Sequence, residues 1–314
     1  MPDKPIVLVT EGSHPTPMNW LREQADVLEF GPDEAGFDNA LGQAQGMIVR
    51  TYTTVDAAML DKGPNLKVVG RGGVGIENID VAASRERGVE VVYTPDANTR
   101  SVADLVAGFM VKLVRPWHAN HPDLFDAKGF KNLRKDAGKQ LSDLTLGILG
   151  LGRVGSMVAR MARLGFDMNV VYHDLVPIES DHGQAVSFDE LLTSCDILTV
   201  HVDGRKSNKL LLDSDVLNRA TIDYLINTSR GMVVDSAALL SSVQSGKIRG
   251  AALDVFDPEP PLPGSADEQL SRQDNVLLTP HMASRTERAM ENMSWVVRDV
   301  MNVIEGREAK HPAP

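Results

Sequence analysis

Three residues of this 314-residue chain combine types that do acid–base and anion chemistry: Arg230 in INTSRG, Glu259 in VFDPEPP and His281 in LTPHMAS. An imidazole gives or takes a proton near neutral pH. A carboxylate held against it favours the charged ring and orients it. A guanidinium fork grips a carboxylate at two points. Taken singly, Arg230 reads first as a surface ion-pair residue and Glu259 first as a solvated charge in a Pro-rich turn. Together they describe a proton donor, its orienting partner and an anion clamp. Arg230 and His281 follow apolar runs that read as strands, and open parallel sheets bind ligands at the carboxyl ends of their strands. The same test picks out Arg50, Arg71, His201 and Asp254.

The best-defined element available to position them is TLGILGLGRVG, from Thr145 to Gly155. It runs an apolar strand into G-x-G-x-x-G (Gly150, Gly152, Gly155) and on into a helix at Arg153 and Val154. The first glycine permits a tight turn, the second lets a pyrophosphate approach the backbone, and the third lets helix pack on strand. Free amides and the positive dipole end at the helix start then hold phosphate charge. Because S-adenosylmethionine sites, flavin sites and plain turns share this glycine pattern, context decides. The helix is expected over 153–164 with Gly165 ending it, and a second strand over 168–173 ends at Asp174. Asp174 stands nineteen residues after Gly155, where a ribose-binding carboxylate belongs. No Arg or Lys lies within 175–177, which favours NAD over NADP. His201, in LTVHV, is placed in the wall of the cofactor cleft.

Composition sets the frame. The chain is 42% hydrophobic and 24% charged, a globular balance with room for about two domains. A net charge of −11 argues against a nucleic-acid or anionic-membrane surface. The single cysteine, Cys195, excludes an internal disulfide and is expected in the core. The first residues, MPDKPIVLVTEG, hold too short an apolar run for a signal peptide or spanning helix, so a cytoplasmic location is the expectation.

Strand-like runs at 6–10, 26–30, 46–49, 67–70 and 89–93 alternate with helical patterns, and strands resume at 196–201, 224–228, 248–254 and 276–279. The reading is α/β: two doubly wound parallel-sheet domains with the ligands in a cleft between them. Residues 1–102, completed by 286–314, form the first domain, and residues 103–285 the second. A helix over 101–117, N-capped by Ser101, is placed between the domains, and the polar segment 118–142 reads as an arm or linker. A last helix over 284–305 presents Met290, Met293, Val297, Val300 and Ile304 as a stripe for the first domain to bury. His118 and His121 lie one helical turn apart but lack a second ligand pair, so no metal site is assigned.

Several motifs in order, VGRGGVGIENID at 69–80, TPDANTRSVAD at 94–104, the glycine turn, INTSRG, GAALDVFDPEP and TPHMAS, resemble the D-2-hydroxyacid dehydrogenases nearly end to end. The resemblance implies a flavodoxin-like substrate domain, a Rossmann NAD domain and a homodimer. It implies that Arg230 binds the substrate carboxylate and carbonyl, that His281 is the general acid–base, and that Glu259 is its partner. Val74 and Gly75 would present amides to the carboxylate, and Asp254 would hold the nicotinamide carboxamide. Ser101, Val102 and Asp104 would lie beside the cofactor, so Val102, Val202 and Thr228 complete the cofactor set. The formate dehydrogenase branch carries glutamine at the position of Glu259, which excludes formate.

RGGVGIENID after VVG, with IVRTYT at 48–53, looks most like the phosphoglycerate dehydrogenase branch, in a short form without a regulatory domain. Arg50 and Arg71 then meet a substrate phosphate, or are solvated strand-end arginines; Tyr52 departs from the small residue of that branch. The first expectation is therefore NAD-dependent interconversion of 3-phosphoglycerate and 3-phosphohydroxypyruvate. A glyoxylate, hydroxypyruvate or other 2-keto acid reductase and an NAD-sensing regulatory protein of the same fold are the alternatives.

Overall fold

The computed structural model describes residues 4–116 and 121–314, so His118 lies outside the described residues. The chain divides into two compact units, Met1–Asn98 with Ser284–Pro314, and Thr99–Ala283.

The first unit is built on a parallel sheet of β1 (Ile6–Val9), β2 (Asp26–Glu29), β3 (Gly46–Val49), β4 (Val68–Arg71) and β5 (Glu90–Tyr93), in the order β2-β1-β3-β4-β5. This is the flavodoxin-like order. Alternate side chains enter opposite layers, as the two-residue period of a strand requires. Leu8, Met47, Val49, Val69 and Val91 pack with Leu41 and Leu60 on one face. Val7, Val9, Ile48, Val68 and Val92 pack on the other with Leu21, Val297 and Val300.

The expected terminal helix is two helices, Glu287–Ser294 and Val297–Ile304, because the chain turns at Trp295. The second lies directly on the sheet at two glycines. A β-carbon at Gly70 would come within 2.4 Å of Val300, and one at Gly46 within 2.9 Å of Val300 and Ile304. The stripe read from sequence is buried at Met293, Val297 and Val300.

The second unit carries β6 (Thr145–Leu149), β7 (Asn169–His173), β8 (Gln184–Ala185), β9 (Ile197–Val200), β10 (Tyr224–Asn227), β11 (Gly250–Leu253) and β12 (Val276–Leu278). All are parallel, in the order β12-β11-β10-β9-β6-β7-β8. The order reverses at β6, so β9 and β7 flank it and the glycine turn sits at the switch point of a Rossmann sheet. The two-residue strand β8 has no apolar run to announce it, since both residues are exposed at the sheet edge.

The helix predicted over 101–117 spans Thr99–Leu113 and belongs to this unit. Val106, Phe109 and Met110 pack against Val158, Ala159 and Ala162 of the helix Arg153–Gly165 and against the sheet. Ser101 is not its N-cap. The helix begins two residues earlier, and the buried Ser101 hydroxyl donates to the Ala283 carbonyl at 2.5 Å. Part of the expected arm folds back: the Lys139 amide donates to the Val114 carbonyl and its ammonium pairs with Asp223 at 2.7 Å. No helix among the described residues is long and apolar enough to cross a membrane.

Candidate active site

The glycine turn has the geometry its sequence demands. Gly150 has a φ of 93°, a left-handed conformation that favours glycine, and its amide donates to the His173 carbonyl at 2.9 Å. A β-carbon at Gly155 would fall 2.1 Å from the Gly150 carbonyl oxygen, so only glycine lets helix Arg153–Gly165 approach the strand. At Gly152, the N-cap of that helix, a β-carbon would meet nothing within 4 Å, leaving open space where a phosphate can reach the backbone. Arg153 and Val154 open the helix, the first exposed and the second half-buried.

Asp174 follows β7. Its Oδ2 accepts from the Leu151 amide at 2.7 Å and its Oδ1 from the Val176 amide at 3.2 Å, so the carboxylate is fixed to the glycine turn itself. Across β6, His201 follows β9, and its Nε2 lies 2.9 Å from the Thr199 hydroxyl. Burial pushes its pKa down to about 3, so the ring is neutral at ordinary pH and is no proton donor there. Val202 beside it is half-buried. Thr228, just past β10, has a buried hydroxyl with no hydrogen-bond partner among the described residues. A buried orphan hydroxyl calls for a ligand. With the open space at Gly152 and the carboxylate at Asp174, it fits a bound dinucleotide. Val102 is buried in the helix Thr99–Leu113.

The acid–base set assembles at the ends of β10, β11 and β12. His281 Nδ1 lies 2.7 Å from Glu259 Oε2, and the other Glu259 oxygen accepts from the Phe256 amide at 3.0 Å. Burial pushes the Glu259 pKa up, but the hydrogen bonds from His281 and Phe256 and the nearby His281 and Arg230 charges outweigh it. The net position is below the usual carboxylate range, so Glu259 is an anion near neutral pH. With Nδ1 on the carboxylate, Nε2 is the nitrogen left to exchange a proton.

His281 has a φ of 49°, a region bulky residues avoid at a cost of about 1–3 kcal/mol. Asp254 holds it there. The His281 amide donates to the Asp254 carbonyl at 2.8 Å, and the fully buried Asp254 carboxylate accepts from Met282 N at 2.7 Å, Ala283 N at 2.8 Å and the Thr279 hydroxyl. The resemblance assigns Asp254 to the nicotinamide; its partners within the chain make it the support of the His281 turn.

Arg230 is half-buried after β10, and its Nη1 donates to the Ser229 carbonyl at 2.8 Å. The turn is tied by Asn227, whose side chain donates to the Arg230 carbonyl at 3.0 Å and accepts from the Ser229 amide at 3.0 Å and hydroxyl at 2.8 Å. A β-carbon at Gly231 would lie 1.9 Å from the Phe256 carbonyl carbon, so this glycine seats the Arg230 turn against the segment leading to Glu259. Arg230, Glu259, His281 and Asp254 therefore converge within one unit.

The anion residues read from the first unit form a second group. Arg50 is 8% exposed and donates through Nη1 to the Gly12 carbonyl at 3.2 Å, with Nη2 against the Met290 sulfur at 3.2 Å. Burial, then the nearby Arg285 charge, pull its pKa below the ordinary guanidinium value. This is no solvated strand-end arginine. Arg71 donates to the Gly72 carbonyl at 3.1 Å and lies across Gly73, where a β-carbon would fall 1.3 Å from its Nη1. Val74 and Gly75 follow that turn.

Sequence reasoning missed three residues. Glu11 accepts from the amides of Arg50 at 3.0 Å, Thr51 at 3.0 Å, Tyr52 at 3.1 Å and Thr53 at 2.9 Å. A carboxylate two residues after β1 was the available signal. Asp203 and Arg205 form an ion pair in the loop after β9, which no local pattern announces. No cluster of three or more metal-ligating side chains occurs among the described residues.

A family model described as "D-isomer specific 2-hydroxyacid dehydrogenase, NAD binding domain" matches residues 107–283. The D-3-phosphoglycerate dehydrogenase of Archaeoglobus fulgidus is 33% identical over 96% of this chain, which spans 57% of that relative's length. The hydroxypyruvate reductase of Thermotoga maritima is 35% identical over 87% of this chain and 88% of its own. A crystal structure of the NADPH-dependent glyoxylate/hydroxypyruvate reductase from Sinorhizobium meliloti, in complex with NADP and malonate, superposes with a TM-score of 0.85 at 30% identity, covering 99% and 97% of the two chains. The chain belongs to the D-isomer-specific 2-hydroxyacid dehydrogenases.

Proposed function

We propose that this protein is an NAD-dependent oxidoreductase interconverting 2-keto acids and D-2-hydroxy acids. The observation that carries the reading is the 2.7 Å pair of His281 and Glu259 on a backbone held by buried Asp254, in the same unit as the glycine turn. In the reductive direction protonated His281 gives its Nε2 proton to the carbonyl oxygen as the carbonyl carbon gains hydride. Glu259 stabilises the imidazolium before transfer and keeps the ring oriented. Arg230 grips the carboxylate and polarises the carbonyl. NADH, when bound, supplies the hydride. Proton transfer of this kind contributes about 10²–10⁴-fold.

The first substrate reading is 3-phosphohydroxypyruvate and 3-phosphoglycerate, with Arg50 and Arg71 as phosphate ligands. The desolvated Arg50 guanidinium, whose side-chain partners are neutral, favours it. The second is a hydroxypyruvate or glyoxylate reductase, favoured by the Thermotoga relative, of which the chain covers 88%. A homodimer and a cytoplasmic location go with either reading.

The test is NADH oxidation with 3-phosphohydroxypyruvate, hydroxypyruvate, glyoxylate and pyruvate, and NADPH as the control. A clear advantage for the phosphorylated acid is the expected result. Preference for a small unphosphorylated acid removes Arg50 and Arg71 from the site. Tight NADH binding without turnover on any acid would leave an NAD-sensing protein.

A further inference from the structure

The strand order places two loops on either side of the glycine turn. β7 and β9 both pair with β6, and in register Leu149 faces His173 on one side and Val200 on the other. Asp174 and His201, the next residues on those strands, therefore stand level, two strand spacings or about 10 Å apart. Contact across the turn is direct: a β-carbon at Gly150 would fall 2.9 Å from the His201 carbonyl. The loop leaving His201 carries Asp203, whose Oδ1 lies 2.7 Å from Arg205 Nε and whose Oδ2 pairs with Arg205 Nη2. Asn208, itself buried, fixes the loop by donating to the Asp203 carbonyl at 3.0 Å and to its Oδ1 at 3.1 Å. An arginine side chain is long enough to bring charge from this loop back over the turn.

The electrostatics agree with that placement. The Arg205 guanidinium is held above its ordinary pKa by its hydrogen bond to Asp203 and by that carboxylate's charge, and the Asp174 carboxylate across the turn adds to the same effect. The loops on the two sides of the glycine turn thus carry the Asp174 and Asp203 carboxylates and the Arg205 guanidinium, and that guanidinium is already paired with Asp203.

We propose that Arg205, clamped by Asp203, is a second determinant of which nicotinamide dinucleotide this chain accepts. Asp174 opposes a 2′-phosphate directly. Asp203 opposes it by occupying the cation that would otherwise receive it. The proposal rests on the dinucleotide-binding reading of the same site; the cation it concerns comes from the loop after β9 and not from the residues next to Asp174.

The test uses adenosine 2′,5′-bisphosphate and 5′-AMP as probes, with dissociation constants measured by calorimetry for the 314-residue chain. Wild type is expected to favour 5′-AMP. Asp203→Asn keeps the loop's shape and frees the guanidinium, so the bisphosphate should bind about tenfold more tightly while 5′-AMP changes little. Arg205→Ala in the Asp203→Asn background should remove that gain, and Arg205→Lys should restore part of it. An unchanged ratio of the two affinities across these variants overturns the proposal, as does an equal loss of both nucleotides in Arg205→Ala. Failure of both probes to bind wild type would strike the dinucleotide reading beneath it, whatever the keto-acid assays show.

Discussion

Two carboxylates each gather main-chain amides at the end of a strand, one in each unit, and they differ in what they hold. Glu11 collects the amides of Arg50, Thr51, Tyr52 and Thr53, none of which has a positive φ. Its task is to satisfy a loop in ordinary conformations and to fix the backbone from which Arg50 projects. Asp254 is fully buried and collects Met282 N, Ala283 N and the Thr279 hydroxyl around a histidine at a φ of 49°. Its task is to hold strain. On the proposed function, the difference separates a support for a binding loop from a support for an acid–base group. An anion-binding arginine tolerates a loop that breathes, whereas a proton donor must keep its angle.

Asp254→Ala sharpens the contrast most. It leaves three donors without an acceptor, each worth about 1–3 kcal/mol when buried, and lets His281 relax out of the left-handed region. Thermal unfolding should show a large fall in midpoint, and turnover per folded molecule should fall with it. A lower midpoint with unchanged turnover would break the comparison, because the turn would then need no enforcing.

Glu11→Gln should do less. With its oxygen in the place of Oε1, the glutamine turns its amide nitrogen on the Thr51 amide and cannot accept from it, so roughly 1–3 kcal/mol of stability is lost, while turnover at saturating substrate is retained. Loss of turnover equal to that of Asp254→Ala would erase the distinction between the two supports.

The smallest effect is the acid dependence of Glu11. Burial alone raises its pKa, but the bonds from the Thr53, Tyr52 and Arg50 amides bring it below the ordinary value. Its contribution to stability is therefore fully present above the unfolded carboxylate pKa of about 4.3 and is lost as pH falls through the lower folded value. Between pH 5 and pH 3, wild type should lose more stability than Glu11→Gln; equal losses would show that the carboxylate charge is immaterial to the loop.

Much of this was legible in the chain itself. The central strands of both sheets announce themselves as apolar runs because parallel strands are buried on both faces, whereas the exposed edge strand β8 does not. The glycine turn reads directly, since each glycine answers a steric or conformational demand visible at Gly150 and Gly155. Arg230, Glu259 and His281 stood out by residue type at strand ends. What stayed hidden depends on register and on partners far away in sequence. Nothing near His281 says that Asp254 holds it, or that Glu11 answers amides 39 to 42 residues on. Asp203 and Arg205 acquire meaning only once β9 and β7 are known to flank β6. The break at Trp295 was missed because an apolar stripe continues across it.

The most direct test of the central claim is turnover of the preferred keto acid by His281→Asn, with NADH binding followed by fluorescence in parallel. The account predicts a fall of about 10²–10⁴-fold in the rate of reduction with NADH affinity unchanged, because the proton donor is lost and the dinucleotide site is intact. Turnover within a few-fold of wild type would contradict it and remove His281 from the chemistry.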